Sequence, residues 1–138
     1  LSYLIDTNVI SELRKGGRAD SGVKSWFAAL ADEEIFLSVL TIGEIRRGIE
    51  SIRRRDLEAA AALDSWLGRI YEAHRDRVVS IDRAIAEEWG RMSAPDPLPV
   101  VDGLLAATAK VSGLTLATRN VGDIMRTGVE LVNPFAAG

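Results

Sequence analysis

Tyr3-Leu4-Ile5-Asp6 opens the chain with a short apolar run that ends on a carboxylate. The run reads as a buried strand, and the aspartate stands at its carboxyl end. The same pattern recurs downstream. Ile35-Phe36-Leu37, Arg77-Val78-Val79-Ser80-Ile81, Leu114-Thr115-Leu116-Ala117-Thr118 and Glu130-Leu131-Val132 are further strand candidates. Between them the apolar residues return every three or four positions, as on one face of a helix. Val23, Trp26, Phe27 and Leu30 form one such face, with Asp20 or Ser21 as its cap, and Ile42, Ile45, Ile49 and Ile52 form a second. A third carries Leu63, Trp66, Leu67, Ile70 and Tyr71, and a fourth carries Ile85, Trp89 and Met92 behind the cap Asp82. A helix from about Val101 to Val111 stops before Gly113, and a short turn or helix is expected from Asn120 to Met125. Pro95, Pro97 and Pro99 make the stretch before Val101 a loop. Uniformly apolar strands alternating with helices predict an α/β fold whose parallel sheet is covered on both faces. In such sheets ligands bind beyond the carboxyl ends of the strands, where the strand order reverses.

Composition narrows the chemistry. With 138 residues and 47% hydrophobic content the chain suits one domain with a real core. The formal charge of -3 provides no general basic field for nucleic acid, so any such binding needs a local patch or bound cations. There is no cysteine, which excludes disulfides, thiolate nucleophiles and thiolate metal sites. The one histidine, His74, lies in the polar stretch Glu72-Ala73-His74-Arg75-Asp76 and reads as a surface or loop residue. Metal chemistry therefore requires oxygen ligands, which points to Mg²⁺ or Mn²⁺. No apolar run approaches the ~20 residues of a membrane span, and no leader precedes the first strand, so a cytoplasmic location is expected.

Acidic residues fall where such a fold places its ligand. Asp6 follows the first strand. Glu44 lies early in the helix after the second, where Thr41-Ile42-Gly43-Glu44 also matches a capping box. Asp102 occupies the first turn of the nearly all-apolar helix, where a carboxylate either complements the helix dipole or needs a partner. Asp123 ends the turn Thr118-Arg119-Asn120-Val121-Gly122-Asp123 after the fourth strand, and Asn120 with Asp123 could instead cap a helix. Each has a structural role open to it. Together they share one rim of a parallel sheet, and carboxylates crowded there repel unless a cation or protons intervene.

At these positions the chain resembles a known family. Asp6-Thr7-Asn8-Val9-Ile10-Ser11-Glu12-Leu13, Thr41-Ile42-Gly43-Glu44-Ile45-Arg46-Arg47-Gly48-Ile49, Asp102-Gly103-Leu104-Leu105-Ala106-Ala107-Thr108-Ala109 and Thr118-Arg119-Asn120-Val121-Gly122-Asp123 are similar to the acidic motifs of PIN-domain proteins, in the family's order and over nearly the whole chain. The Glu-Ile-Arg-Arg-Gly-Ile segment is most similar to VapC/FitB-like toxins of bacterial toxin–antitoxin pairs. The resemblance implies a three-layer α/β/α sandwich with a mainly parallel central sheet, and residues 1–138 as a single PIN domain. It further implies Mg²⁺- or Mn²⁺-dependent RNA cleavage, a homodimer, and neutralisation by a small VapB/FitA-like antitoxin through which DNA is reached only indirectly. By motif position it assigns metal-site roles to Asp6, Glu44, Asp102 and Asp123, and supporting roles to Thr7, Thr118 and Asn120. Gly103 is expected to add flexibility beside a ligand position.

Cations are needed to draw RNA past a net-negative body. Arg46, Arg47, Arg53, Arg54 and Arg55 form the densest basic stretch, and Arg119 adjoins the fourth motif. Arg46, Arg47 and Arg119 are candidates for contact with phosphates or with an antitoxin; a solvated helix face is the plainer role for the first two. Trp26, Trp66 and Trp89 are expected in the core or an interface. Two other functions fit parts of the pattern. Asp6-Thr7-Asn8-Val9 is near the nucleophile motif of a phosphatase-like hydrolase, although Asn8 replaces its second acid. The fold could also serve as a nonenzymatic partner-binding module.

Overall fold

The computed structural model describes residues 1–135. Its elements follow in the order β1 (Tyr3–Ile5), α1 (Thr7–Leu13), α2 (Ser21–Ala28), β2 (Ile35–Ser38), α3 (Val39–Arg53), α4 (Leu57–Ala73), β3 (Val78–Val79), α5 (Arg83–Ser93), α6 (Val100–Ser112), β4 (Thr115–Ala117) and β5 (Leu131–Val132), with single 3-10 turns between several of them. The five strands form one sheet in the order β3-β2-β1-β4-β5, and every pairing is parallel. β1 is central. Tyr3 stands beside Ile35 on one side and Thr115 on the other, and Ile5 beside Ala117. The chain builds outward from β1 to β2 and β3, then crosses back to β4 and β5, so the order reverses at β1 and β4. That places the ligand-binding edge of a parallel sheet at Asp6 and Thr118.

Side chains alternate across each strand, and the two faces carry separate cores. Ile5, Leu37 and Ala117 pack with Val9, Val23, Ile45, Ile49 and Leu67 under α1 to α4. Leu4 and Leu116 pack with Leu105, Ala106 and Ala109 of α6 on the opposite face. The result is a three-layer α/β/α sandwich. Side-chain caps start several helices: Asp20 accepts from the Val23 N–H at 3.1 Å, Asp56 from Ala59 at 3.0 Å and Asp82 from Ile85 at 2.9 Å. Each is worth about 1 kcal/mol. Gly113, at φ 68°, supplies the left-handed residue that ends α6.

Some local expectations give way. β3 is limited to Val78–Val79 because it pairs only with Leu37 and Ser38 at the sheet margin. α3 begins at Val39, directly after β2, capped by the Ser38 hydroxyl, which accepts from the Leu40 N–H at 3.0 Å. The capping box at Thr41 to Glu44 therefore does not form, and among the described residues the buried Thr41 hydroxyl has no hydrogen-bond partner. Of the turn or helix expected from Asn120 to Met125 the turn forms, leading to a 3-10 turn at Met125–Thr127, so Asn120 caps no helix with Asp123. His74 is not a surface residue but only 7% exposed, because it ends α4 with its Nδ1 2.9 Å from the Ile70 carbonyl oxygen. Trp26 meets Tyr3 edge-on, with ring centroids 5.0 Å apart. Among the described residues no helix is long and apolar enough to cross a membrane.

Candidate active site

The site grows from the end of β1. Asp6 is the N-cap of α1, so its backbone is extended while its carboxylate turns back onto the helix start. Oδ1 accepts from the Thr7 N–H at 2.6 Å, and Oδ2 accepts from the Thr118 hydroxyl at 2.7 Å. Asp6 is 4% exposed and Thr118 fully buried, so this pair is dry. Burial pushes the Asp6 carboxyl above the usual carboxylate range; its hydrogen bonds from Thr118 and Thr7 oppose the shift, and the charges of Asp102 and Glu44 add to it.

Thr118 is the hub that joins β1 to the turn after β4. Its hydroxyl oxygen also accepts from the Asn120 N–H at 3.0 Å and from the Asn8 side-chain amide at 3.4 Å. Asn8 reaches the Asp6 carboxylate at 3.4 Å as well, and its own oxygen accepts from the Arg119 N–H at 3.2 Å. Asn8 thus ties the first motif to the fourth. The sequence reading passed over this role, although its place two residues after Asp6 was the available signal. Glu44 joins from α3 by accepting the Thr7 hydroxyl at 2.6 Å. Thr7 therefore links the first acid to the second, one through its backbone and the other through its side chain.

Asp102 lies in the first turn of α6 and has no hydrogen-bond or ion-pair partner among the described residues. Its carboxyl is raised by burial first, then by the charges of Glu44 and Asp123. Asp102 and Asp123 line one open depression with Asn120 and Gly122. Asp6, Glu44, Asp102 and Asp123 are thereby linked as electrostatic neighbours along the carboxyl edge of the sheet. Among the described residues, no three of them stand close enough together to ligate one ion as they are placed. Their chemistry suits a hard cation: every donor is oxygen, and the carboxylates repel one another.

The family model for the PIN domain matches residues 3–126. The chain belongs to the PIN-domain family. It is 31% identical to the toxin FitB of Neisseria gonorrhoeae, covering 96% of this chain and 97% of the relative. It is 29% identical to the VapC ribonuclease Y4jK of Sinorhizobium fredii over 96% of each. The crystal structure of FitAcB from Neisseria gonorrhoeae superposes with a TM-score of 0.87 at 29% identity, covering 96% of this chain and 97% of that one.

The basic residues of this PIN domain divide into two groups. Arg46 and Arg53 clamp α3 onto α4: both reach Asp64 at 2.6 Å, and both also meet Glu50. Arg46 is therefore already committed to carboxylates, which leaves it less able to meet a phosphate. Arg47 lines a shallow depression with Glu44, Gly43 and Val101, at the edge of the acidic rim. Arg119 has no carboxylate partner among the described residues; its guanidinium lies 4.4 Å over the Phe135 ring. Arg14, absent from the sequence-based candidates, shares a groove with Thr7, Ser11 and Glu44. A larger basin lined by Glu88, Arg91, Lys110 and Arg126 contains none of the rim acids, and its Arg91 and Lys110 are paired with Glu88.

Proposed function

We propose that this PIN domain is a Mg²⁺- or Mn²⁺-dependent endoribonuclease, the toxin of a toxin–antitoxin pair. The supporting observation is the run of mutually repelling carboxylates Asp6, Glu44, Asp102 and Asp123 at the strand-order reversal, with Asp6 and Glu44 joined through Thr7 and Asp6 held by Asn8 and Thr118. A relative named as a ribonuclease and another named as a toxin point the same way.

When bound, the divalent ion supplies Lewis-acid chemistry, acidifying water and offsetting negative charge on a phosphodiester. Asp6, Glu44, Asp102 and Asp123 would hold it. Asp6 or Asp123 would accept the proton of the attacking water. Thr118 and Thr7 orient Asp6, while Asn120 braces the Thr118 hydroxyl. Arg119 and Arg47 receive RNA phosphates, or the side chains of a small VapB/FitA-like antitoxin when the toxin is neutralised. The protein acts in the cytoplasm as a homodimer, and DNA is reached only through the antitoxin. A phosphoenzyme route loses support, because both Asp6 oxygens accept hydrogen bonds and the residue is 4% exposed.

The decisive experiment is cleavage of total RNA with Mg²⁺ or Mn²⁺, mapped by end sequencing, against EDTA and an Asp6→Asn control. We expect cleavage that EDTA abolishes and that Asp6→Asn lowers by roughly a thousandfold or more while near-UV circular dichroism is unchanged. Wild-type cleavage by that variant refutes the assignment. An intact PIN domain that binds an antitoxin but never cuts RNA would leave only a partner-binding role.

A further inference from the structure

Gly103 follows Asp102 on α6, and its surroundings differ from those of Gly43, Gly48, Gly68 and Gly90. A Cβ added at Gly43, Gly48, Gly68 or Gly90 would meet nothing within 4 Å. At Gly103 it would lie 3.0 Å from Cδ1 and 3.1 Å from Nε1 of Trp89, and 3.3 Å from Cβ of Leu98. Gly103 is buried, and a side chain there would press on the indole. Among the described residues the Trp89 Nε1–H is buried without a hydrogen-bond partner, so the contacts the ring makes here are packing contacts.

This contact lies at the first turn of α6, between α5 and the loop that precedes α6. The N-cap position is Pro99, which provides no side-chain cap. The backbone bond from the Gly103 N–H to the Pro99 carbonyl, at 2.8 Å, closes the first turn. Asp102 has no hydrogen-bonded partner among the described residues to steer its carboxylate. Its direction is therefore inherited from the backbone of the first turn, and that turn rests on Trp89 and Leu98.

We propose that Trp89 is a positioning residue for Asp102: its indole, seated against Gly103, sets the first turn of α6 and so aims the carboxylate at the rim it shares with Glu44 and Asp123. The inference rests on the reading of Asp102 as a metal ligand. Residues that support a ligand in this way typically alter metal affinity 10–100-fold when changed, by order of magnitude.

The test uses Mn²⁺ alone as probe, with free Mn²⁺ followed by electron paramagnetic resonance, on the full chain and its variants. Gly103→Ala is expected to weaken Mn²⁺ binding by about tenfold or more, and Trp89→Leu by several-fold. The double variant Gly103→Ala/Trp89→Leu, which refits methyl to vacated space, should recover to within about threefold of wild type. Backbone amide shifts of residues 101–104 should move and recover in the same order. If Gly103→Ala does not fold, Trp89→Leu and the double variant decide, because leucine removes the indole edge that touches Gly103 and keeps an apolar side chain. A wild type that binds Mn²⁺ beside a folded Gly103→Ala that binds equally well overturns the inference and leaves the nuclease reading standing. So does a double variant as weak as the single. A wild type that neither binds Mn²⁺ nor cuts RNA overturns both.

Discussion

Replacing Thr118 by valine removes one hydroxyl from the driest part of the site and nearly preserves shape. That hydroxyl donates to the Asp6 carboxylate at 2.7 Å between a fully buried threonine and a 4% exposed aspartate. A hydrogen bond to a charged group contributes about 1.5–3 kcal/mol, and burial leaves no water to replace it. The Asn120 N–H also loses its acceptor, but Asn120 is exposed and solvent can satisfy it. The expected loss at neutral pH is about 2 kcal/mol, or roughly 6–10 °C in Tm for a domain of this size. The effect should depend on pH with a definite sign. Thr118 is the hydrogen bond that most lowers the Asp6 carboxyl, so valine sends an already raised carboxyl higher. Wild type and variant share an unfolded state. The gap between them therefore opens as pH rises through the two native titrations of Asp6, and narrows below both, where the carboxyl is protonated in each. Thermal unfolding followed by circular dichroism at about pH 4 and about pH 8 reads this directly, and the acid limb of the RNA-cleavage profile should move upward in parallel. Equal Tm values at neutral pH, or a loss of the same size at both extremes, would refute the argument that Thr118 holds the ionised form of Asp6.

Three further outcomes are expected. Asp102→Asn should abolish cleavage yet raise Tm at neutral pH: burial and the neighbouring Glu44 and Asp123 raise this carboxyl, so its native charge is a liability that grows as pH rises and vanishes in acid. A variant less stable than wild type at about pH 8 contradicts that. Asp64→Ala frees Arg46 and Arg53 from α4, though both keep Glu50; the bonds lost are 2.6 Å long but about one-third to one-half exposed, so the urea midpoint should fall only slightly and the difference should shrink in high salt. Phe135→Leu keeps an apolar side chain but removes the aromatic face 4.4 Å beneath Arg119. Losing a contact of about 0.5–1 kcal/mol should raise the KM for RNA about two- to fivefold with kcat unchanged, and a fall in kcat alone would argue against a role in holding phosphate.

The family relationship was legible because its motifs are local. Each acid sits within a few residues of a strand end or helix start, and those positions follow from apolar runs and turn residues along the chain. The parallel sheet and its two covered faces were legible for the same reason: uniformly apolar strands such as Tyr3-Leu4-Ile5 leave no polar face for water. Local pattern misled where a contact from elsewhere overruled it. Thr41-Ile42-Gly43-Glu44 satisfies a capping box on paper, yet β2 passes straight into α3 at Ser38 and Glu44 turns to the Thr7 hydroxyl instead. Arg46 reads as a phosphate or antitoxin contact or as part of a solvated helix face, and nothing along α3 shows that α4 brings Asp64 against it.

By itself the amino-acid sequence determined which side chains could carry chemistry, and the order in which strands and helices would form. It excluded thiol and imidazole-rich sites by composition alone, since a residue that is missing cannot be folded into place. Only the tertiary structure decided how those side chains are held. That Asp6 is dry and bonded to Thr118, that Asn8 ties the β1 end to the turn after β4, and that Trp89 fills the space beside Gly103 all depend on residues far apart in the chain. Such contacts arise from packing three layers together, and no periodicity along one strand or helix encodes which neighbour the next layer will supply.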